Sequence, residues 1–205
     1  MYIEKEAEAM SIREKEMKRT KAMILTALLM ALIMVLTFAT KIPVPTTQGY
    51  VHLGDAMIFM AVIILGRKYG TMAAAFGSAL ADIVGGYAIY APVSFLVKGA
   101  MAFLLATFLA WALEKGRTHS MILAGMGMLL AGLIMVAGYY VAESLLYGNF
   151  LVPLAEIPMN VLQFVVGIAV SLPLAGTLGK TAAGRDFAYP VNRRENSPQA
   201  VTAGK

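Results

Sequence analysis

Glu143 is the residue of this chain whose setting most invites chemistry. It follows Tyr139 by four positions and Tyr140 by three, and Tyr147 follows it by four. Residues three or four apart share one helix face, so Tyr139, Glu143 and Tyr147 form a polar-aromatic stripe. Tyrosines near a membrane surface commonly serve as belt residues, but a belt does not explain a carboxylate between two of them. Facing a pocket, the stripe supplies an aromatic wall and an anionic hydrogen-bond acceptor. Asn160 and Gln163 make a second group, three apart on one face just after Pro158. Amides at membrane depth either join helices, at about 0.6 kcal/mol on average, or bind ligand. Glu156, ahead of them, reads as near enough to the surface to be solvated.

Asp82 and Lys98 are the other two polar residues that lipid makes expensive, at roughly 2.5–3.5 kcal/mol each on insertion scales. Asp82 is expected in the middle of one helix and Lys98 about one and a half turns into the next. They can pair directly or through a water as a structural lock, or Lys98 can contact a ligand.

Other chemistries find no support. The chain has no cysteine and only two histidines, His52 and His119, far apart in sequence, so no metal, thiol or cofactor site is expected. Neither a Gly-x-Ser-x-Gly nor a His-Glu-x-x-His pattern is present, and no catalytic group is assigned. The string from Leu174 to Thr181 resembles a nucleotide-binding loop. However, Leu174 replaces the first glycine, and the string closes a helix instead of opening one after a strand. Lys180 reads as a membrane anchor.

The elements that must position these residues follow from composition. Hydrophobic residues make up 59% of the 205 and charged ones only 14%, against about 25% in soluble domains; mean hydropathy is +0.71. Residues 22–40, 120–142 and 157–179 carry no charge and match the roughly 20 residues that cross a bilayer. The stretch 69–113 is too long for one crossing and must fold back near Ala91-Pro92. The fold expected is an all-α integral membrane protein with six transmembrane helices at roughly 21–40, 53–66, 70–90, 93–114, 120–147 and 155–180. The second is short, and a re-entrant segment is the alternative there. The first run is a helix and not a signal peptide, because five acidic residues precede it.

Residues 1–20 read as a short cytoplasmic surface helix, 21–180 as the membrane domain, and 181–205 as a polar, disordered cytoplasmic tail. The six-helix reading puts 15 of the 17 basic residues on one side, all but Lys41 and Lys98. By the positive-inside rule both termini are cytoplasmic, and the net charge of +5 reflects membrane orientation, not nucleic acid. The loop from Lys41 to Tyr50 is long and carries two prolines, so it serves as a lid or as a plain connector. Small residues recur at fourfold spacing: Ala27 and Ala31; Ala73, Gly77, Ala81 and Gly85; Gly167, Ser171, Ala175 and Gly179. Such stripes let backbones approach closely. Trp111 is an interfacial anchor.

Over residues 21–180 the chain resembles the substrate-binding S component of energy-coupling factor (ECF) vitamin transporters, of the riboflavin and hydroxymethylpyrimidine type. The likeness runs from the proline-containing loop and Gly49-Tyr50-Val51-His52-Leu53-Gly54-Asp55 through Gly70, Gly77-Ser78-Ala79-Leu80-Ala81-Asp82, Gly86-Tyr87 and Ala91-Pro92 to Lys98-Gly99. The resemblance implies a binding subunit in the cell membrane that captures a small heteroaromatic B vitamin or precursor from outside. It implies a membrane coupling protein and two cytoplasmic ATPases as partners, with the Ala27-xxx-Ala31 face against the coupling protein. The substrate-binding residues expected are Glu143, Tyr139, Tyr147, Asn160, Gln163 and Lys98. The alternatives are a stand-alone carrier or channel, or an intramembrane enzyme.

Overall fold

The computed structural model describes residues 2–43, 50–115 and 120–189. It is all-helical apart from a two-residue antiparallel ladder between β1 (Ile42–Pro43) and β2 (Tyr50–Val51). The five helices are α1 (Tyr2–Ala39), α2 (Gly54–Val84), α3 (Ala91–Glu114), α4 (Met121–Tyr147) and α5 (Ile157–Leu178). Each includes a segment long and apolar enough to cross a membrane.

Five elements stand where six helices were expected, because 53–66 and most of 70–90 are continuous in α2. They are not collinear. Gly66 has φ 71° and ψ −164°, a region essentially reserved for glycine, and it breaks α2 into arms 54–65 and 67–84. As one straight rod α2 would be about 47 Å long, yet His52 before it and Asp82 near its end line the same cavity. The arms therefore fold back on each other. A Cβ at Gly70 would lie 2.9 Å from Val62 Cα, so only glycine allows the arms this close. The first arm is about 18 Å long, less than the roughly 30 Å hydrocarbon core.

Three boundaries also differ from expectation. α2 ends at Val84 instead of near residue 90, because Gly85 and Gly86 (φ 83°) make the turn. Pro92 consequently opens α3 from its first turn, where its missing N–H costs nothing, and does not break a helix. Asp82 thus lies two residues from a helix end, not in mid-helix. Residues 1–20 and 21–40 are not separate either: α1 runs unbroken from Tyr2 to Ala39.

Buried glycines set the packing of the bundle. A Cβ on Gly77 would lie 2.9 Å from the Met30 carbonyl of α1, and one on Gly167 would lie 3.1 Å from Asp55 Cβ of α2. Phe59, Met101, Met128, Met135 and Phe164 fill the core between α2, α3, α4 and α5. α4 starts with the Ser120 side chain accepting from Leu123 N–H and ends at Gly148 in the left-handed region, a common pair of helix stops.

Of residues 181–189, assigned above to the polar tail, Gly184 and Tyr189 are buried and Phe187 is half-buried; 190–205 lie outside the described residues. A 3-10 turn (Ala183–Asp186) leads to a strap in which the N–H groups of Ala188 and Tyr189 donate to the Ile64 and Ile63 carbonyls at 3.1 and 3.0 Å. In an unbroken helix these carbonyls would accept from residues 68 and 67; beside the break they accept from the strap. Tyr189 is buried, and its hydroxyl donates to the Ser120 carbonyl at 3.4 Å. Gly66→Ala should strain the backbone and press its methyl against Ala188 Cβ, 3.1 Å away. A loss of about 1–3 kcal/mol is expected, read as a lower melting temperature in detergent; unchanged melting would mean that the bend tolerates an ordinary residue.

Candidate functional site

The end of the bundle away from the Gly66 bend gathers polar groups from every α-helix except α1 and from the segments between them. His52 precedes α2 and Asp82 nearly closes it. Tyr90 and Ser94 come from the turn into α3 and its first residues, and Tyr139 and Glu143 from the last turns of α4. Glu156 ends the 3-10 turn Val152–Glu156, and Asn160 and Gln163 lie in the first turns of α5. These nine residues line one cavity of about 20 Å³, room for about one water.

Helix periodicity places four of the six expected binding residues on this cavity: Tyr139, Glu143, Asn160 and Gln163. Tyr147 lies beside it, its hydroxyl 2.6 Å from that of Tyr90, which does line it. Lys98 lies beneath. It is fully buried and donates to Asp55 Oδ1 at 2.6 Å and to Met135 Sδ at 2.8 Å. Its hydrogen-bonded ion pair is therefore with Asp55 rather than Asp82, joining α3 to the first arm of α2. Its Nζ also lies 5.4 Å from the Tyr139 ring centre, so the ammonium supports the aromatic wall from below.

Gln163 joins this pair to the cavity. Its Nε2 donates to Asp55 Oδ2 at 2.9 Å, and its Oε1 accepts from the His52 backbone N–H at 2.9 Å. Both ends of the amide are engaged, which fixes its orientation. His52 Nδ1 accepts from Gly54 N–H at 2.9 Å. Burial, and then the Lys98 ammonium, pushes the His52 imidazole down to about 3. The ring is therefore neutral, with its proton on Nε2. Ser94 and Tyr139 pair through their hydroxyls at 2.7 Å.

Glu156 is a correction. It was expected in solvent but is 3% exposed, because the 3-10 turn that starts Val152-Pro153 folds it inward. Its carboxyl faces that of Glu143, itself 2% exposed, within hydrogen-bonding reach. Among the described residues, Glu143 Oε2 and Glu156 Oε1 receive no hydrogen bond. Sequence reasoning also missed His52, Tyr90 and Ser94 and placed Asp82 elsewhere. The Gly85-Gly86 pair was the signal for the true turn.

Above the cavity, α1 is held to the α2–α3 turn by Lys41, which donates to the Gly85 carbonyl at 2.9 Å and lies 4.9 Å from the Tyr87 ring centre. The loop expected as lid or connector is closed at its base by the β1–β2 ladder; its residues 44–49 lie outside those described. On α1, Thr26, Leu29, Ile33 and Thr37 face the bundle, whereas Ala27 and Ala31 are exposed on the opposite side.

Comparison with known proteins adds three findings. The family described as "ECF-type riboflavin transporter, S component" matches residues 17–180. An uncharacterized protein of Pyrococcus woesei is 35% identical over 147 residues, covering 71% of this chain and 93% of that one. A protein of Lactococcus lactis named thiamine precursor transporter HmpT is 26% identical over 166 residues, covering 80% of this chain and 91% of that one.

Proposed function

Since the chain belongs to the family of ECF-type riboflavin transporter S components, we propose that it is the membrane-embedded binding subunit of a vitamin importer. In this reading Glu143, Tyr139, Asn160 and Gln163 contact a small heteroaromatic B vitamin or precursor, of hydroxymethylpyrimidine, pyridoxine or riboflavin type. The observation that carries it is the polar cavity, at the end of the bundle opposite most of the basic residues. That charge asymmetry supports cytoplasmic termini and an outward-facing cavity. Binding sites for drug-sized ligands occupy about 300–1,000 Å³, so a vitamin enters by displacing lining groups.

A membrane coupling protein and two ATPases supply the energy in this scheme, in keeping with the departure of the Leu174–Thr181 string from a nucleotide-binding loop. The purified chain should therefore bind one B vitamin or precursor in a thermal-shift panel, yet move none into vesicles until the coupling protein and ATPases are added. Uptake by the chain alone would identify a stand-alone carrier instead. Reporters at either terminus should read as cytoplasmic and one near Gly148–Leu151 as external; a cytoplasmic reading at the latter would invert the cavity and remove the scheme.

A further inference from the structure

A second concavity lies on the outside of the bundle, between the second arm of α2 (67–84) and α3. It is a groove of about 360 Å³ whose lining includes Met72, Ala75, Phe76, Phe95, Gly99 and Phe103. Its floor is narrow: a Cβ on Gly99 would lie 3.3 Å from Ala75 Cβ, so the two helices touch there. The exposed side chains of Met72, Phe76, Phe95 and Phe103 form its walls. Phe76 and Phe95 meet edge to face with ring centres 5.0 Å apart and close the end nearer Tyr90. The opposite end leads to Arg67 and Lys68, one turn before Thr71 and Met72 on the same helix face. The Arg67 guanidinium lies 5.7 Å from the Phe103 ring centre, so positive charge sits on the rim. Neither Arg67 nor Lys68 forms an ion pair among the described residues.

We propose that this groove binds an anionic phospholipid of the leaflet at the basic end of the bundle, with one hydrocarbon chain along the groove and the phosphate at Arg67 and Lys68. Length, shape and charge each support this. From Arg67 to Phe76 the arm rises about 14 Å, about half of the roughly 30 Å hydrocarbon core, so the groove matches one leaflet. Its apolar walls suit a hydrocarbon chain, which has no hydrogen bonds to satisfy. A second helix, about 10 Å across, would have to part the Phe76 and Phe95 rings to lie there. Guanidinium and ammonium groups both hold phosphate well, and basic pockets between membrane helices on the cytoplasmic side bind anionic headgroups. A zwitterionic lipid brings its own cation to the phosphate and is attracted less. Bound there, the lipid fastens the Gly66 bend to its leaflet.

The test is native mass spectrometry of the delipidated full chain in detergent, titrated with phosphatidylglycerol and, separately, with phosphatidylcholine bearing the same chains. One phosphatidylglycerol per protein should bind at least about tenfold more tightly than phosphatidylcholine. Arg67→Gln together with Lys68→Gln should remove that preference, whereas Lys180→Gln, which removes an exposed cation beyond the end of α5, should keep it. Ala100→Trp fills the groove from an exposed position of α3 and should weaken both lipids. Melting temperatures identify any variant that fails to fold, and the two-lipid comparison on the unaltered chain stands without variants. Equal binding of the two lipids would overturn the proposal. So would an equal loss in Lys180→Gln, the mark of diffuse charge attraction, or undiminished binding in Ala100→Trp, which would place the lipid elsewhere. If Ala100→Trp keeps its lipid but no longer co-purifies with the coupling protein, the groove belongs to that partner instead. No arm of this test involves a vitamin, so its failure leaves the transport reading to the uptake experiment above.

Discussion

Lys98→Ala is expected to cost the folded chain about 3–5 kcal/mol, the usual penalty for removing one partner of a buried ion pair. Both side chains of the Lys98–Asp55 pair are wholly inaccessible to solvent, so the substitution leaves the Asp55 carboxylate buried without its ion-pair partner. The damage should spread, because Asp55 also orients Gln163 and Gln163 holds the His52 backbone. Most of the protein should fail to purify as a single species, and what does should melt far below the unaltered chain. Removing both charges, as Lys98→Met with Asp55→Asn, should recover most of that stability, since two neutral groups of similar size leave no unpaired charge. Normal melting of Lys98→Ala together with weakened ligand affinity would make Lys98 a ligand contact rather than a lock.

The second large effect concerns transport rather than stability. Ala27 and Ala31 lie one turn apart on the exposed face of α1, so a tryptophan at either position points away from the packed face among the described residues. Ala27→Trp and Ala31→Trp should therefore fold and bind ligand normally. If this face packs against the coupling protein, the indole holds the two helices apart where small residues had let them approach. Co-purification with the coupling protein and ATP-driven uptake should then each fall by tenfold or more. Normal uptake in both variants would move the docking face elsewhere on the bundle.

How much of this was legible in the sequence depended on distance along the chain. Glu143 with Tyr139, and Asn160 with Gln163, are local pairs fixed by helical period, and all four reached the cavity. The break at Gly66 was foreshadowed by the charges Arg67 and Lys68 between two apolar runs. The turn after Val84 was misplaced because Pro92 was read as a breaker, although proline at the start of a helix is equally at home. That misplacement hid Tyr90 and Ser94 and put Asp82 in mid-helix. The Lys98–Asp55 pair spans 43 positions and follows no local rule; it emerges only when the arms of α2 fold back. Glu156 was misjudged because nearness to a helix start says nothing about whether a 3-10 turn points inward or outward.

The strap at Ala188 and Tyr189 has a consequence for the order of assembly. The bend it covers, at Ile63 to Gly66, leaves the ribosome early, when only α1 and α2 have been made. The N–H groups that donate to its carbonyls arrive only after nearly the whole described chain has been synthesised. During that interval the hairpin of α2 sits with exposed acceptors at its tip, and water or lipid headgroups must serve in place of the missing donors. Closure of the strap is therefore a late contact of the described chain: a chain released short of Ala188 carries all five described helices and the described cavity lining, yet leaves the Ile63 and Ile64 carbonyls without these donors.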